Sequence, residues 1–131
     1  MATSPVALLD SDVLIDILRQ HPAAHLWLQA NSTPLFIHGV VAMEIIVGSR
    51  NKGDLLKNQQ LLSRFNIVWP TPLEFQTAYD LLATYSLATS MGIPDALIAA
   101  TALTRQWALY TFNLKHYRQI PHLEVKIPYT R

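Results

Sequence analysis

Five apolar runs of strand length, the first three each followed by stretches with helical spacing, restrict this chain's fold more than any other feature. The runs cover residues 6–9, 35–38, 66–69, 107–111 and 123–127. Between them, Asp10-Ser11-Asp12 supplies capping side chains before Val13, Leu14, Ile17 and Leu18, which follow helical spacing. Pro22 opens a second short helix through Trp27 and Leu28, and Asn31-Ser32-Thr33-Pro34 breaks it. A helix over 40–47 follows Gly39, and another runs from Asp54 to about Arg64. Thr71 caps a helix whose first position is Pro72 and which continues over 73–86, and Gly92-Ile93-Pro94 precedes a helix over 95–105. Apolar strands alternating with helices predict a largely parallel sheet covered on both faces. With no repeat, linker or low-complexity tract, residues 1–131 form one α/β domain. In such folds ligands sit beyond the carboxyl ends of the strands.

Bulk properties narrow the function. The net charge is +1 and half of the chain is hydrophobic, so no global basic field draws nucleic acid, and phosphate contacts need a local patch or a metal. The apolar share fits a well-buried sheet, or an additional apolar surface for a partner. No cysteine is present, which excludes disulfides and thiolate metal sites. Residues 1–5 lack the basic segment of a secretory leader, and no apolar run approaches the ~20 residues that span a bilayer. The expectation is a soluble cytoplasmic protein with no membrane contact.

The nine acidic residues can be taken one by one. Asp10 lies where the first strand ends, in the place the topology reserves for ligands. Asp12 and Asp16 follow in the first helix, where Asp16 is spaced to pair with Arg19. Glu44 stands inside the apolar stretch Val40-Val41-Ala42-Met43-Glu44-Ile45-Ile46-Val47, where a carboxylate is costly unless paired, bound to metal or turned to water. Asp95 opens a helix that continues as Ala96-Leu97-Ile98-Ala99-Ala100. Asp54, Glu74, Asp80 and Glu124 read as solvated surface. Asp10 alone is explained as a helix cap, and Asp95 alone as a first-turn aspartate. Brought together at one rim, Asp10, Glu44 and Asp95 repel one another. A hard divalent cation, Mg²⁺ or Mn²⁺, removes that penalty and supports phosphodiester hydrolysis by an activated water.

Four stretches carry a family resemblance over nearly the whole chain: Leu8-Leu9-Asp10-Ser11-Asp12-Val13-Leu14-Ile15-Asp16, Met43-Glu44-Ile45-Ile46-Val47-Gly48, Ile93-Pro94-Asp95-Ala96-Leu97-Ile98-Ala99-Ala100-Thr101-Ala102, and Tyr110-Thr111-Phe112-Asn113-Leu114-Lys115-His116-Tyr117. In this order they resemble the PIN domain, specifically the VapC-type toxin ribonucleases of toxin–antitoxin pairs. The resemblance implies a PIN-like three-layer α/β/α sandwich, usually a homodimer, that cleaves RNA with Mg²⁺ or Mn²⁺ and is held by a VapB-type antitoxin. Carried over by position, Asp10 and Asp95 are metal ligands and Glu44 is the third acid. Many relatives carry a fourth acid near the fourth strand, where this chain has Asn113 and His116. Thr111, Asn113, Lys115, His116 and Arg50 are candidate substrate contacts, with Lys52 and Arg118 beside them. Trp27, Trp69 and Trp107 read as core or interface.

Two other readings compete. Leu8-Leu9-Asp10-Ser11-Asp12-Val13 also resembles the strand and D-x-D of haloacid-dehalogenase-type phosphatases. That family, however, places its metal-binding aspartates after a threonine and a lysine, whereas Asp95 precedes Thr111. The other reading is a PIN-like module that binds RNA or protein with catalysis weak or lost.

Overall fold

The structure, a computed structural model, describes residues 6–131; the reading of residues 1–5 as no leader falls outside them. Strand β1 (Ala7–Leu9) leads through α1 (Ser11–Leu18) and α2 (Pro22–Ala30) to β2 (Leu35–His38). Helices α3 (Gly39–Val47) and α4 (Lys52–Leu62) connect β2 to β3 (Asn66–Val68). Helices α5 (Pro72–Thr89) and α6 (Ile93–Arg105) then lead to β4 (Ala108–Tyr110), and α7 (Leu114–Tyr117) leads to β5 (Val125–Lys126). All four ladders are parallel and the sheet order is β3-β2-β1-β4-β5. The expected α/β sandwich is therefore present, with a sheet that is parallel throughout.

Two features of the order matter for the site. Parallel strands need crossovers, and crossovers are right-handed. The chain moves outward from β1 through β2 to β3, then returns across β1 to β4, so α5, α6 and α7 lie on the face opposite α1 to α4. The switch falls between β1 and β4, where register pairs Leu9 with Tyr110. Asp10 and Thr111, the next residue of each strand, thus stand side by side beyond the carboxyl ends. Helix α7 is absent from the sequence expectation because its four residues are too few to show a helical period. It supplies the return that lets β5 pair parallel to β4.

The core is continuous across both faces. Leu8, Leu14, Ile37, Leu109, Ile98 and Tyr117 are among its fully buried side chains. Helix α6 is small and apolar because it packs on β1, β4 and α5 at once. At the end of β2, burial lowers the His38 pKa to about 4, so the ring is neutral near pH 7. Its Nδ1 accepts from the Val40 N–H at 3.0 Å, which leaves Nε2–H to donate to Thr101 Oγ1 at 3.2 Å. Gly39 is required by Trp69, whose indole occupies the space a side chain there would fill.

Two charged residues and one helix start depart from expectation. Glu74 is not solvated surface: it is 3% exposed. It closes the capping box of α5 with Thr71 and receives Arg105 Nε at 2.8 Å and the Thr104 hydroxyl at 2.7 Å. The i,i+31 partner is invisible to a reading of neighbours. Asp16 does not pair with Arg19, because the chain end reaches it: Tyr129 Oη donates at 2.7 Å and Arg131 donates to both oxygens at 3.0 Å. Helix α4 begins two residues before Asp54, at Lys52, because Asn51 caps it through the Asp54 N–H.

Burial alone would raise the Glu74 pKa, but the donors from Arg105, Thr71 and Thr104 outweigh it and hold it at about 2. A lowered carboxylate pKa stabilises the fold above the unfolded value and loses that contribution as pH falls. Wild-type protein is therefore expected to lose about 2 kcal/mol from this group as pH drops from about 4.5 toward 2, after discounting for Arg105's partial exposure. Melting temperatures of wild type and Glu74→Gln across that range check this: the variant's acid limb should be flatter. Parallel limbs would remove the ion pair from the account.

Candidate active site

Asp10 follows β1 and caps α1, accepting from the Ser11 N–H at 2.8 Å through Oδ1. Its other oxygen accepts from the Thr111 hydroxyl at 2.8 Å, and Thr111 itself accepts from the Asn113 N–H at 2.9 Å. Thr111, expected as a substrate contact, is thus a partner of the Asp10 carboxylate. Asp10 is only 3% exposed. Burial, first, and the charge of Asp12 raise its pKa to about 6, with Asp95 adding to the rise.

Asp95 sits in the first turn of α6, as its position alone suggested, and also caps it: Oδ2 accepts from the Gly92 N–H at 3.0 Å. Oδ1 accepts from the Tyr117 hydroxyl at 3.2 Å. His116 Nδ1 lies 3.1 Å from Asp95 Oδ2 and 2.9 Å from Asn113 Nδ2. A proton on Nδ1 points it at Asp95, and a lone pair there accepts from Asn113. The structural and chemical readings of Asp10 and Asp95 are therefore not alternatives, since each carboxylate caps a helix with part of its hydrogen-bonding capacity.

Glu44 differs from the other two acids in its exposure. It lies exposed on α3, the water-facing option its apolar neighbours had left open. Partial desolvation and then the Asp95 charge raise its pKa. Asp10 and Asp95 share the switch point, but among the described residues no three His, Asp or Glu side chains are grouped to hold one metal ion. Asp95 acts electrostatically on both Asp10 and Glu44, with Asp10 buried and Glu44 exposed. Like charges without a cation resist closer approach, and Asp95 is already tied to Gly92 and Tyr117.

Two residues were missed. Asp12 Oδ2 accepts from the Phe112 N–H at 2.9 Å and stands 3.4 Å from Thr111 Oγ1. An acid therefore reaches the end of β4 from α1, although the β4 segment supplies none. Tyr117 is fully buried, and Asp10 and Asp95 both act on its hydroxyl. The D-x-D spacing was a signal for Asp12; nothing local signalled Tyr117.

The cationic candidates are dispersed. Arg50 is 87% exposed and approaches Asp54 at 3.8 Å. A groove of about 630 Å³ beside Glu44 is lined by Arg19, Arg50, Asp54, Lys57 and Asn58. Lys52 is exposed at the start of α4, and Lys115 and Arg118 are exposed on and after α7. Trp27 packs edge-on against Tyr110 and Trp107 lies against Phe36, whereas Trp69 is 58% exposed and so is not core.

Fold and site define an open parallel α/β protein with coupled carboxylates at its topological switch point. A family profile described as PIN domain matches residues 7–121. The sequence is 34% identical over 120 residues to Ribonuclease VapC10 of Mycobacterium tuberculosis, covering 89% of this chain and 90% of that one. It is 29% identical over 128 residues to Ribonuclease VapC of Rickettsia bellii, covering 90% and 92%. A toxin–antitoxin complex from Klebsiella pneumoniae contains a chain that superposes with TM-score 0.78 at 30% identity, covering 95% of this chain and 99% of that one. The chain belongs to the PIN-domain family, with VapC-type ribonucleases as its relatives. No helix among the described residues is long and apolar enough to cross a membrane.

Proposed function

We propose that the protein is a Mg²⁺- or Mn²⁺-dependent endoribonuclease, the toxin of a VapBC-type pair. The observation that carries this reading is Asp10, a buried carboxylate crowded by Asp12 and Asp95 at the carboxyl ends of β1 and β4. Such a donor set, all oxygen and mutually repelling, fits a hard divalent cation. Asp10 and Asp95 would hold it, with Glu44 and Asp12 as outer acids. When bound, the cation supplies Lewis acidity and a lowered pKa for water. Thr111 aims Asp10, and His116 and Gly92 aim Asp95. The groove cations Arg19, Arg50 and Lys57, with Lys115 and Arg118 on the α7 side, are placed to meet phosphates, and Asn113 to meet a base or sugar edge. A VapB-type antitoxin as partner is supported by the toxin–antitoxin complex to which the fold is similar. A homodimer is supported by the exposed Met43, Val47 and Trp69 around an apolar groove.

Purified protein should cut single-stranded RNA in Mg²⁺ or Mn²⁺, stop in EDTA, and resume when the ion is restored. Expression should arrest growth until the antitoxin is co-expressed. The lack, among the described residues, of three acidic or histidine side chains grouped to hold one ion favours one second reading, an RNA-binding module without catalysis. RNA that is bound but never cut with either ion would establish that reading instead.

A further inference from the structure

We propose that Tyr117 is a positioning residue of this site: its buried hydroxyl, donating to Asp95 Oδ1 at 3.2 Å, fixes the aim of Asp95 relative to Asp10 and so sets how tightly the pair takes up a divalent cation. The inference rests on the reading of Asp10 and Asp95 as cation ligands.

A phenol with no exposed surface is expensive unless its oxygen finds a partner. The Tyr117 ring is fully buried in the core, edge-on to the His116 ring, and its oxygen meets the carboxylates. Burial, then the charges of Asp10 and Asp95, lift its pKa far above the usual tyrosine range, so it serves as a donor throughout. The other oxygens of the pair have different anchors: Ser11 and Thr111 hold Asp10, and Gly92 holds Asp95 Oδ2. Tyr117 serves the remaining oxygen, Asp95 Oδ1, and its hydroxyl also acts on Asp10. It comes from α7, packed with Ile120 in the core, and has two torsions fixed by packing. Asp95 is thereby tied to the β4–β5 connection as well as to its own helix. Donors behind a metal ligand orient it and tune its affinity, and removing one typically costs 10–100-fold in binding.

The test is calorimetric titration of Mn²⁺ into the metal-free protein, comparing wild type, Tyr117→Phe, Asp95→Asn and Ile120→Val. Tyr117→Phe should bind Mn²⁺ about tenfold more weakly. Ile120→Val, which loosens the same packing without touching a carboxylate, should bind as wild type does. Equal weakening in these two variants would assign the effect to packing and overturn the role of the hydroxyl. Wild-type affinity in Tyr117→Phe, with binding lost in Asp95→Asn, would overturn it as well and leave the metal reading standing. Undiminished binding in Asp95→Asn would instead sink the metal reading on which the inference rests.

Discussion

Asp95→Asn is expected to lower Mg²⁺-dependent RNA cleavage by at least about a hundredfold while leaving the fold nearly as stable. The substitution keeps an acceptor for the Gly92 N–H, which holds the first turn of α6, and removes the negative charge that a divalent cation requires. The melting temperature should move by only a few degrees. Cleavage of a labelled single-stranded RNA, measured beside a thermal melt of the same preparation, separates the two effects. Full activity in a folded Asp95→Asn protein would dismiss the acidic pair as the seat of catalysis.

Asp10→Asn should do something less usual, stabilising the metal-free protein while abolishing its cleavage. A carboxylate whose folded pKa is raised keeps its proton between the unfolded value, 3.8, and about 6. Folded protein therefore loses stability relative to unfolded as pH rises through that window, and above it the ionised group is a standing cost. The shift corresponds to about 3 kcal/mol at pH 7.5. Asparagine is as good a helix cap, its Oδ1 accepting from the Ser11 N–H, and its amide hydrogens donate toward Thr111 Oγ1 and the acids that crowd Asp10. In EDTA at pH 7.5 the variant should melt on the order of 10 °C higher, and the gain should vanish below about pH 4. A variant that melts lower at neutral pH would show that Asp10's hydrogen bonds outweigh its desolvation. Saturating Mn²⁺ should narrow the gap by stabilising wild type selectively.

Legibility followed sequence distance. Strands β1, β2 and β4 are apolar enough to announce themselves, and Thr71-Pro72 locates the start of α5 because cap and first position are adjacent. Asp10 and Asp95 were found because strand ends and helix starts are local events. Glu74 was misread because the Thr104 and Arg105 that bury it lie 30 and 31 positions away. Asp16 was paired with its helical neighbour because Arg131, 115 positions on, leaves no trace in the helix pattern. Glu44 illustrates a different limit, since apolar neighbours in sequence did not make an apolar environment when its turn of α3 faced outward. Tyr117 required both the unforeseen α7 and the packing that buries it.

The strand order has a consequence for when the site is complete. Asp10 and its partner Thr111 are 101 positions apart, and Tyr117 reaches back 22 positions to Asp95. During translation, β1 through α6 can leave the ribosome and begin to collapse while β4 and α7 are still inside it. At that moment Asp10 lacks Thr111, Asp95 lacks Tyr117, and the central strand lacks its neighbour on one side. Whatever cutting the site performs can begin only after the last quarter of the chain has been released and docked. On the toxin–antitoxin reading proposed above, the interval before that would give an antitoxin time to be present before the first active molecule exists.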